Sequence, residues 1–230
     1  MFHVASMGKL GMYDLAALPD ASDAPSVDLR STRFANASFH ATKRLMDLVV
    51  SLALLPPTLI VALVVLAVNP FFNPGPLFYT QTRMGRNCKP FKAYKFRSMR
   101  VVQRIGRNPD DPLEQDRITP FGRFLRKSRF DELPQILNVL RGDMSLIGPR
   151  PDYIGHARRY LRDIPGYRER HLVRPGISGL AQTEFGYAEG YEATARKVQY
   201  DLYYIANTNP MLEAWIFWRT LTVVARRMGA

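Results

Sequence analysis

The 230-residue chain has one cysteine, Cys88, which excludes an internal disulfide and suits a reducing compartment. Its four histidines, His3, His40, His156 and His171, are scattered without metal-ligand spacing, so a histidine-based metal centre has no support. Neither a G-x-x-x-x-G-K-[ST] run nor a G-x-G-x-x-G is present, which removes Walker-type and dinucleotide sites. No apolar h-region follows the first residues, so a cleaved secretory signal is not expected, and residues 1–42 read as a flexible tail. Asp110 and Asp111 lie in a proline-rich polar stretch without D-x-D spacing and read as loop acids. Acids are few: 20 Asp and Glu against 32 Lys and Arg leave a formal charge of +12. That balance implies an anionic partner, whether nucleic acid, lipid headgroups or phosphorylated substrates.

The longest apolar run is Leu45 to Val68. A transmembrane helix needs about 20 such residues for a ~30 Å hydrocarbon core, so the length suffices. Pro56 and Pro57 fall at its midpoint, where they remove helix hydrogen bonds and favour a sharp bend. Lys43 and Arg44 precede the run, and Arg83, Arg86, Lys89, Lys92, Lys95 and Arg97 follow it. Basic flanks prefer the cytoplasmic side, and here both flanks are basic. A re-entrant helical hairpin over 43–69 satisfies both constraints, with a plain span or a buried soluble helix as alternatives. Residues 70–209 form the expected cytosolic catalytic domain, and 210–230 a C-terminal helix. In that helix Trp215, Trp218, Arg219, Arg226 and Arg227 stand among aliphatics, as in an interfacial amphipathic helix. The expected class is α+β and mostly helical, with one short β-hairpin: Leu77-Phe78-Tyr79 and Phe91 to Phe96 read as strands around Gly85-Arg86-Asn87.

The chemistry concentrates between Ser128 and Pro151, SRFDELPQILNVLRGDMSLIGPRP. Leu133, Ile136, Leu137 and Leu140 carry helical spacing, with Asp131 as the expected N-cap and Pro134 in the first turn. A helix N-terminus would favour the ionised form of Asp131. The pair Asp131-Glu132 sits close to Arg123, Arg126, Lys127, Arg129, Arg141 and Arg150, a composition suited to a metal and phosphates as well as to capping. Pro149 and Pro151 hold Arg150 in an extended backbone. Thr119 and Pro120 start a short helix with Phe121, Phe124 and Leu125 facing inward. Helix is also expected over 153–172, interrupted at Pro165-Gly166, and from Tyr200 and Pro210 onward. The glycines of Arg174 to Gly179 would let backbone amides approach a ligand.

The runs DELPQ and GDMS-x-x-GPRP resemble the bacterial sugar transferases of the monotopic polyprenyl-phosphate phosphoglycosyl transferase family, in their short catalytic-module form. The similarity extends in order through GPLFYTQTRMG (75–85), YKFRSM (94–99), ITPFGRFLRKS (118–128), RPGISGLAQ (174–182) and YDLYYI (200–205). After Gln182 the chain departs from the family, with TEFGYAEGY (183–191) in place of an Asn-Gly-Arg-like run. The resemblance implies transfer of a phosphosugar from a nucleotide sugar, with UDP the expected nucleotide, to polyprenyl phosphate, with release of UMP. It also implies a re-entrant membrane helix in the bacterial inner membrane, with the catalytic domain on the cytoplasmic face among anionic lipids. Asp131 matches the family's nucleophile, and Glu132 the residue that holds Mg²⁺. Arg150, Lys95, Arg97, Arg126, Arg129, Arg174 and Gln182 are the candidate phosphate and substrate contacts. Rival readings are a membrane-anchored nucleic-acid-binding protein, for which the acid pair would be superfluous, and a non-catalytic scaffold that would tolerate Asp131→Asn.

Overall fold

In the computed structural model, residues 37–101, 114–185 and 190–225 are described. The expectations for the N-terminal tail up to residue 36, for Asp110-Asp111, for most of the 183–191 segment and for Arg226 and Arg227 fall outside these residues.

Helix α1 (Ala37–Phe72) contains Pro56, Pro57 and Pro70 and is helical on both sides of the proline pair. Neither Pro56 nor Pro57 can donate to the carbonyl four residues back, and the Thr58 hydroxyl donates to the Leu54 carbonyl at 2.7 Å. Its exposure pattern is inverted relative to a soluble helix. Asp47, Ser51, Asn69 and Asn73 are buried, whereas Leu45, Val49, Leu59, Ile60, Leu63 and Leu66 are more than half exposed. Among the described residues α1 is the one helix long and apolar enough to cross a membrane.

Both ends of α1 pack on the rest of the chain. Near its start, Arg44 donates to the Val139 and Leu140 carbonyls at 2.8 and 3.2 Å, and Lys43 reaches Glu213 at 2.6 Å. Asp47 accepts from the Ser145 hydroxyl and the Leu146 amide, at 2.8 and 3.1 Å. Near its end, Val65 packs with Phe96 and Leu125, and Asn73 donates to the Arg97 carbonyl at 2.8 Å.

Strands β1 (Phe78–Met84) and β2 (Pro90–Phe96) form the expected antiparallel hairpin, with Tyr79 opposite Lys95 and Arg83 opposite Phe91. A second pair, β3 (Ser145–Ile147) and β4 (Gly176–Ser178), is parallel. Here glycine is required by contact: a Cβ on Gly176 would lie 2.2 Å from the Gly148 nitrogen, and one on Gly179 would lie 2.2 Å from the Gly148 oxygen. These glycines therefore bring two backbone segments together, where a ligand approach was expected.

Helix α2 (Pro120–Lys127) has the expected cap, Thr119 accepting from the Gly122 amide at 3.0 Å. Leu125 is buried, but Phe124 points outward and is 49% exposed. After α3 (Ile136–Arg141) and β3 come α4 (Ile154–Asp163), a 3₁₀ turn at Glu169–Leu172, and α5 (Leu180–Glu184). Helix α6 (Tyr191–Asn207) begins nine residues before the expected Tyr200 start, and α7 (Pro210–Ala225) opens on its proline. Two apolar clusters join these helices: Met84, Tyr160, Tyr167 and Val198 in one, Ile147, Tyr204, Leu212 and Ile216 in the other.

Arg97, a candidate phosphate contact by sequence, is buried under the end of α1. It donates to the Pro76 carbonyl at 2.7 Å, to the Asn73 side chain at 3.0 Å, and to the Asn73 carbonyl. Arg97→Met leaves these acceptors unpaired and should lower stability by about 3 kcal/mol. Thermal unfolding in detergent measures this, and nucleotide binding per folded molecule should stay within about twofold of wild type.

Candidate active site

The β-hairpin presents one face to the site. Period-two alternation puts Tyr79, Gln81 and Arg83 on that face of β1, with Lys95 beside Tyr79 on β2. Lys95 Nζ lies 2.6 Å from Glu132 Oε1 and 3.9 Å from Asp131 Oδ2.

The acids arrive differently from the expected N-cap. Arg129 adopts φ 60°, ψ 11°, a left-handed conformation unusual for a residue with a Cβ, and the chain then winds a 3₁₀ turn over Phe130–Gln135. Pro134 lies inside that turn, and α3 follows for only six residues. Asp131 is therefore within the turn, and the amphipathic helix predicted from Leu133 to Leu140 is replaced by a tighter segment. Ile136, Asn138 and Val139 are its buried residues, and Leu137 is exposed. Asn138 fixes this segment to β2: its amide nitrogen donates to the Lys92 carbonyl at 2.8 Å, and its oxygen accepts from the Tyr94 amide at 3.1 Å.

Asp131 and Glu132 are each only 5% exposed, yet their surroundings differ. Burial pushes the Glu132 carboxyl upward, but Arg150, Lys95 and Arg129 outweigh it and hold Glu132 well below the ordinary carboxylate range. Arg150 Nη2 sits 2.5 Å from Glu132 Oε1, and Arg129 Nη1 sits 3.3 Å from Oε2. For Asp131 burial wins, and its carboxyl is raised above the ordinary aspartate range despite Lys95. Lys95 is itself pushed down by burial, against the pull of the two acids.

The structure thus gathers Lys95, Arg129 and Arg150 around the acid pair, with Arg126 in electrostatic reach of Asp131. Pro149 and Pro151 carry Arg150 as expected, and the Pro149 carbonyl accepts from the Gly176 amide at 2.9 Å. Arg174 goes elsewhere, donating to the Gly142 carbonyl at 2.9 Å beyond the end of α3. Gln182 donates to the Ile177 carbonyl at 3.1 Å, at the start of α5. Sequence reasoning missed Arg83, whose guanidinium donates to Gln81 Oε1 at 2.8 Å and to the Pro151 carbonyl. Its alternation with Tyr79 on one strand was the available signal.

Among the described residues there is no cluster of three or more His, Cys, Asp or Glu side chains able to hold a metal ion. Two hard carboxylates beside phosphate-binding arginines do suit Mg²⁺, which commonly takes one or two carboxylates and completes its shell with phosphate oxygens and water.

Residues 38–227 match the model of the bacterial sugar transferase family. The chain belongs to that family. It is 40% identical over 195 residues to a UDP-N-acetylgalactosamine–undecaprenyl-phosphate N-acetylgalactosaminephosphotransferase of Aeromonas hydrophila, covering 82% of this chain and 44% of that one. It is 36% identical over 210 residues to the UDP-glucose:undecaprenyl-phosphate glucose-1-phosphate transferase of Escherichia coli K12, covering 90% and 43%. An exopolysaccharide production protein, PSS, of Rhizobium leguminosarum is 38% identical over 196 residues, covering 78% and 92%. The chain thus spans less than half the length of the first two relatives and most of the third.

The contrast between the two acids is measurable. Asp131→Asn removes a carboxylate whose charged form burial disfavours, so it should melt no lower than wild type at pH 7.5. Glu132→Gln strands Lys95, Arg129 and Arg150 and should cost about 3 kcal/mol. Thermal melts of both variants in the same detergent check the pair.

Proposed function

We propose that this protein transfers a phosphosugar from a UDP-sugar to a polyprenyl phosphate such as undecaprenyl phosphate, with Asp131 as the nucleophile. The observation that carries this reading is the asymmetric acid pair. Glu132 is saturated by cations from three segments, whereas Asp131 is buried with Lys95 as its nearest cation at 3.9 Å. A desolvated carboxylate with few partners retains lone pairs for attack, and one gripped on both oxygens is suited to organising charge.

In the first step an Asp131 oxygen forms a bond to the sugar-bearing phosphorus, and the bond from that phosphorus to the bridging oxygen breaks. UMP leaves with the electron pair, and an aspartyl phosphosugar remains. In the second step an oxygen of the lipid phosphate attacks the same phosphorus and displaces the Asp131 carboxylate, which regenerates the enzyme. Arg150 and Arg129 orient the diphosphate by charge-assisted, two-pronged contacts, and Lys95 keeps Asp131 anionic as the substrate arrives. Mg²⁺, held by Glu132 and substrate phosphates, would supply charge neutralisation when bound. The raised Asp131 carboxyl sets a sign: protonation removes the nucleophile, so the first step should fail on acidification at a pH above that of an ordinary aspartate.

The membrane arrangement belongs to the same proposal. A helix spans the bilayer straight only if its ends lie about 30 Å apart on opposite sides. Here residues 43–47 and 65–73 both pack on the folded body that carries the site. With Pro56-Pro57 between them, this supports a re-entrant α1 that enters and leaves on the cytoplasmic face of the inner membrane. The exposed apolar residues of α1 would meet acyl chains, and the lipid phosphate would arrive at the interface beside the site. Single cysteines placed at residues 42 and 74 in a Cys88→Ser background should both react with a membrane-impermeant maleimide only after the cytoplasmic side is opened. Periplasmic labelling at residue 42 rejects the hairpin.

The covalent step has its own test. Protein given a panel of UDP-sugars and Mg²⁺ without lipid should gain one phosphosugar by intact-protein mass spectrometry and release UMP. Asp131→Asn should lose the adduct and at least about a thousandfold in turnover. An adduct that persists in Asp131→Asn assigns the nucleophile elsewhere.

A further inference from the structure

Prolines on either side fix φ at 149 and 151, but they do not decide where Arg150 sits in space. Four consecutive carbonyls do. The Pro149 carbonyl accepts from the Gly176 amide at 2.9 Å, the Arg150 carbonyl from Arg170 Nη2 at 2.8 Å, the Pro151 carbonyl from Arg83, and the Asp152 carbonyl from the Met84 amide at 3.1 Å. Arg170 has the largest share in this. Its side chain has no solvent exposure, so it cannot touch a substrate. One guanidinium holds the Arg150 carbonyl and the Asp152 carboxylate, gripping the segment from both its backbone and its side chain.

The rest of the network keeps Arg170 in place. Asp201 Oδ2 lies 2.7 Å from Arg170 Nη2, Lys197 Nζ lies 2.8 Å from the other Asp152 oxygen, and the Tyr167 hydroxyl donates to Asp152 at 2.8 Å. The Tyr167 ring stacks against the guanidinium at 5.0 Å. Two buried acids and two buried bases balance in charge. Such a cluster is seldom the most stable way to fill a core, because well-packed apolar groups of the same volume avoid its desolvation. What it provides is a fixed direction.

We propose that Arg170 is a positioning residue that fixes the Arg150 guanidinium on the acid pair, with Asp201 as the brace that orients Arg170. The proposal rests on the reading of Arg150 as the group that orients the donor's phosphates. Lysine at position 170 keeps the charge but cannot hold a carbonyl and two carboxylates at once. The distinguishing property is coupling: a residue that acts only through Arg150 has nothing to contribute once Arg150 is altered.

The experiment is titration calorimetry of the purified full chain in detergent with UDP and Mg²⁺, alongside thermal melts. R170K should weaken UDP affinity about tenfold, and R150K/R170K should bind no more weakly than R150K alone. D201N, which leaves every proposed substrate contact intact, should weaken affinity about threefold and lose that effect on the R150K background. A lowered melting temperature with unchanged affinity, or losses that add in the double variant, overturns the proposal. If R170K gives no cooperative melt, D201N decides by the same criteria. Wild-type protein that binds no UDP rejects the functional reading and this inference together, whereas wild-type binding with R170K unimpaired rejects the inference alone.

Discussion

The Glu132 carboxylate is where three parts of the chain depend on one another. Lys95 from the β-hairpin, Arg129 from the end of α2 and Arg150 from the loop after β3 converge on its two oxygens. A buried carboxylate with no partner is prohibitively costly, and so are three buried cations. Each segment is therefore held at the position that neutralises the others, and the site is assembled by the same ion pairs that keep it folded. Asp131, one residue away on a 3₁₀ turn, points out of this arrangement and stays buried with a weaker counter-charge. Neighbouring acids of identical formal charge thus acquire opposite characters from geometry alone.

Placement of this site relative to lipid follows from α1. Its polar residues Asp47, Ser51, Asn69 and Asn73 face the folded body, and its aliphatic residues face away. Asp47 ties the helix to β3, and Asn73 with Arg97 ties it to the hairpin. The elements that carry Arg150 and Lys95 are thus fastened directly to the helix proposed to enter the bilayer. A reaction between a water-soluble nucleotide sugar and a lipid phosphate needs this proximity, because the acceptor's phosphate is confined to the interface.

Close packing of backbone completes the geometry. The mutual approach of Gly148, Gly176 and Gly179 allows β3 and β4 to pair in parallel where a side chain would collide. That crossing sets the height of the loop from Pro149 to Asp152, and Arg83 and Arg170 then fix its direction. Rigidity of this kind matters for phosphoryl transfer, in which catalysis comes mainly from position and charge.

Family membership, the acid pair, the hairpin and the apolar helix are all legible in the sequence, because each is encoded by contiguous residues: DELPQ, GPRP, alternating strand residues, a long aliphatic run. Thr119-Pro120 likewise announced the start of α2 from local chemistry alone. What is not legible arises from contacts distant in sequence. Arg97 and Arg174 have the composition of site residues, but tertiary packing assigns the first to the end of α1 and the second to the Gly142 carbonyl. Arg83 and Arg170 looked ordinary until folding placed them on the Pro151 and Arg150 carbonyls. Asp131 read as a helix cap because periodicity ignores the left-handed turn at Arg129, which only the surrounding ion pairs can sustain. The sequence by itself determined which residues carry charge and where the chain is apolar; the tertiary structure decided which charges meet, because burial makes an ion's partner obligatory and only the fold selects it.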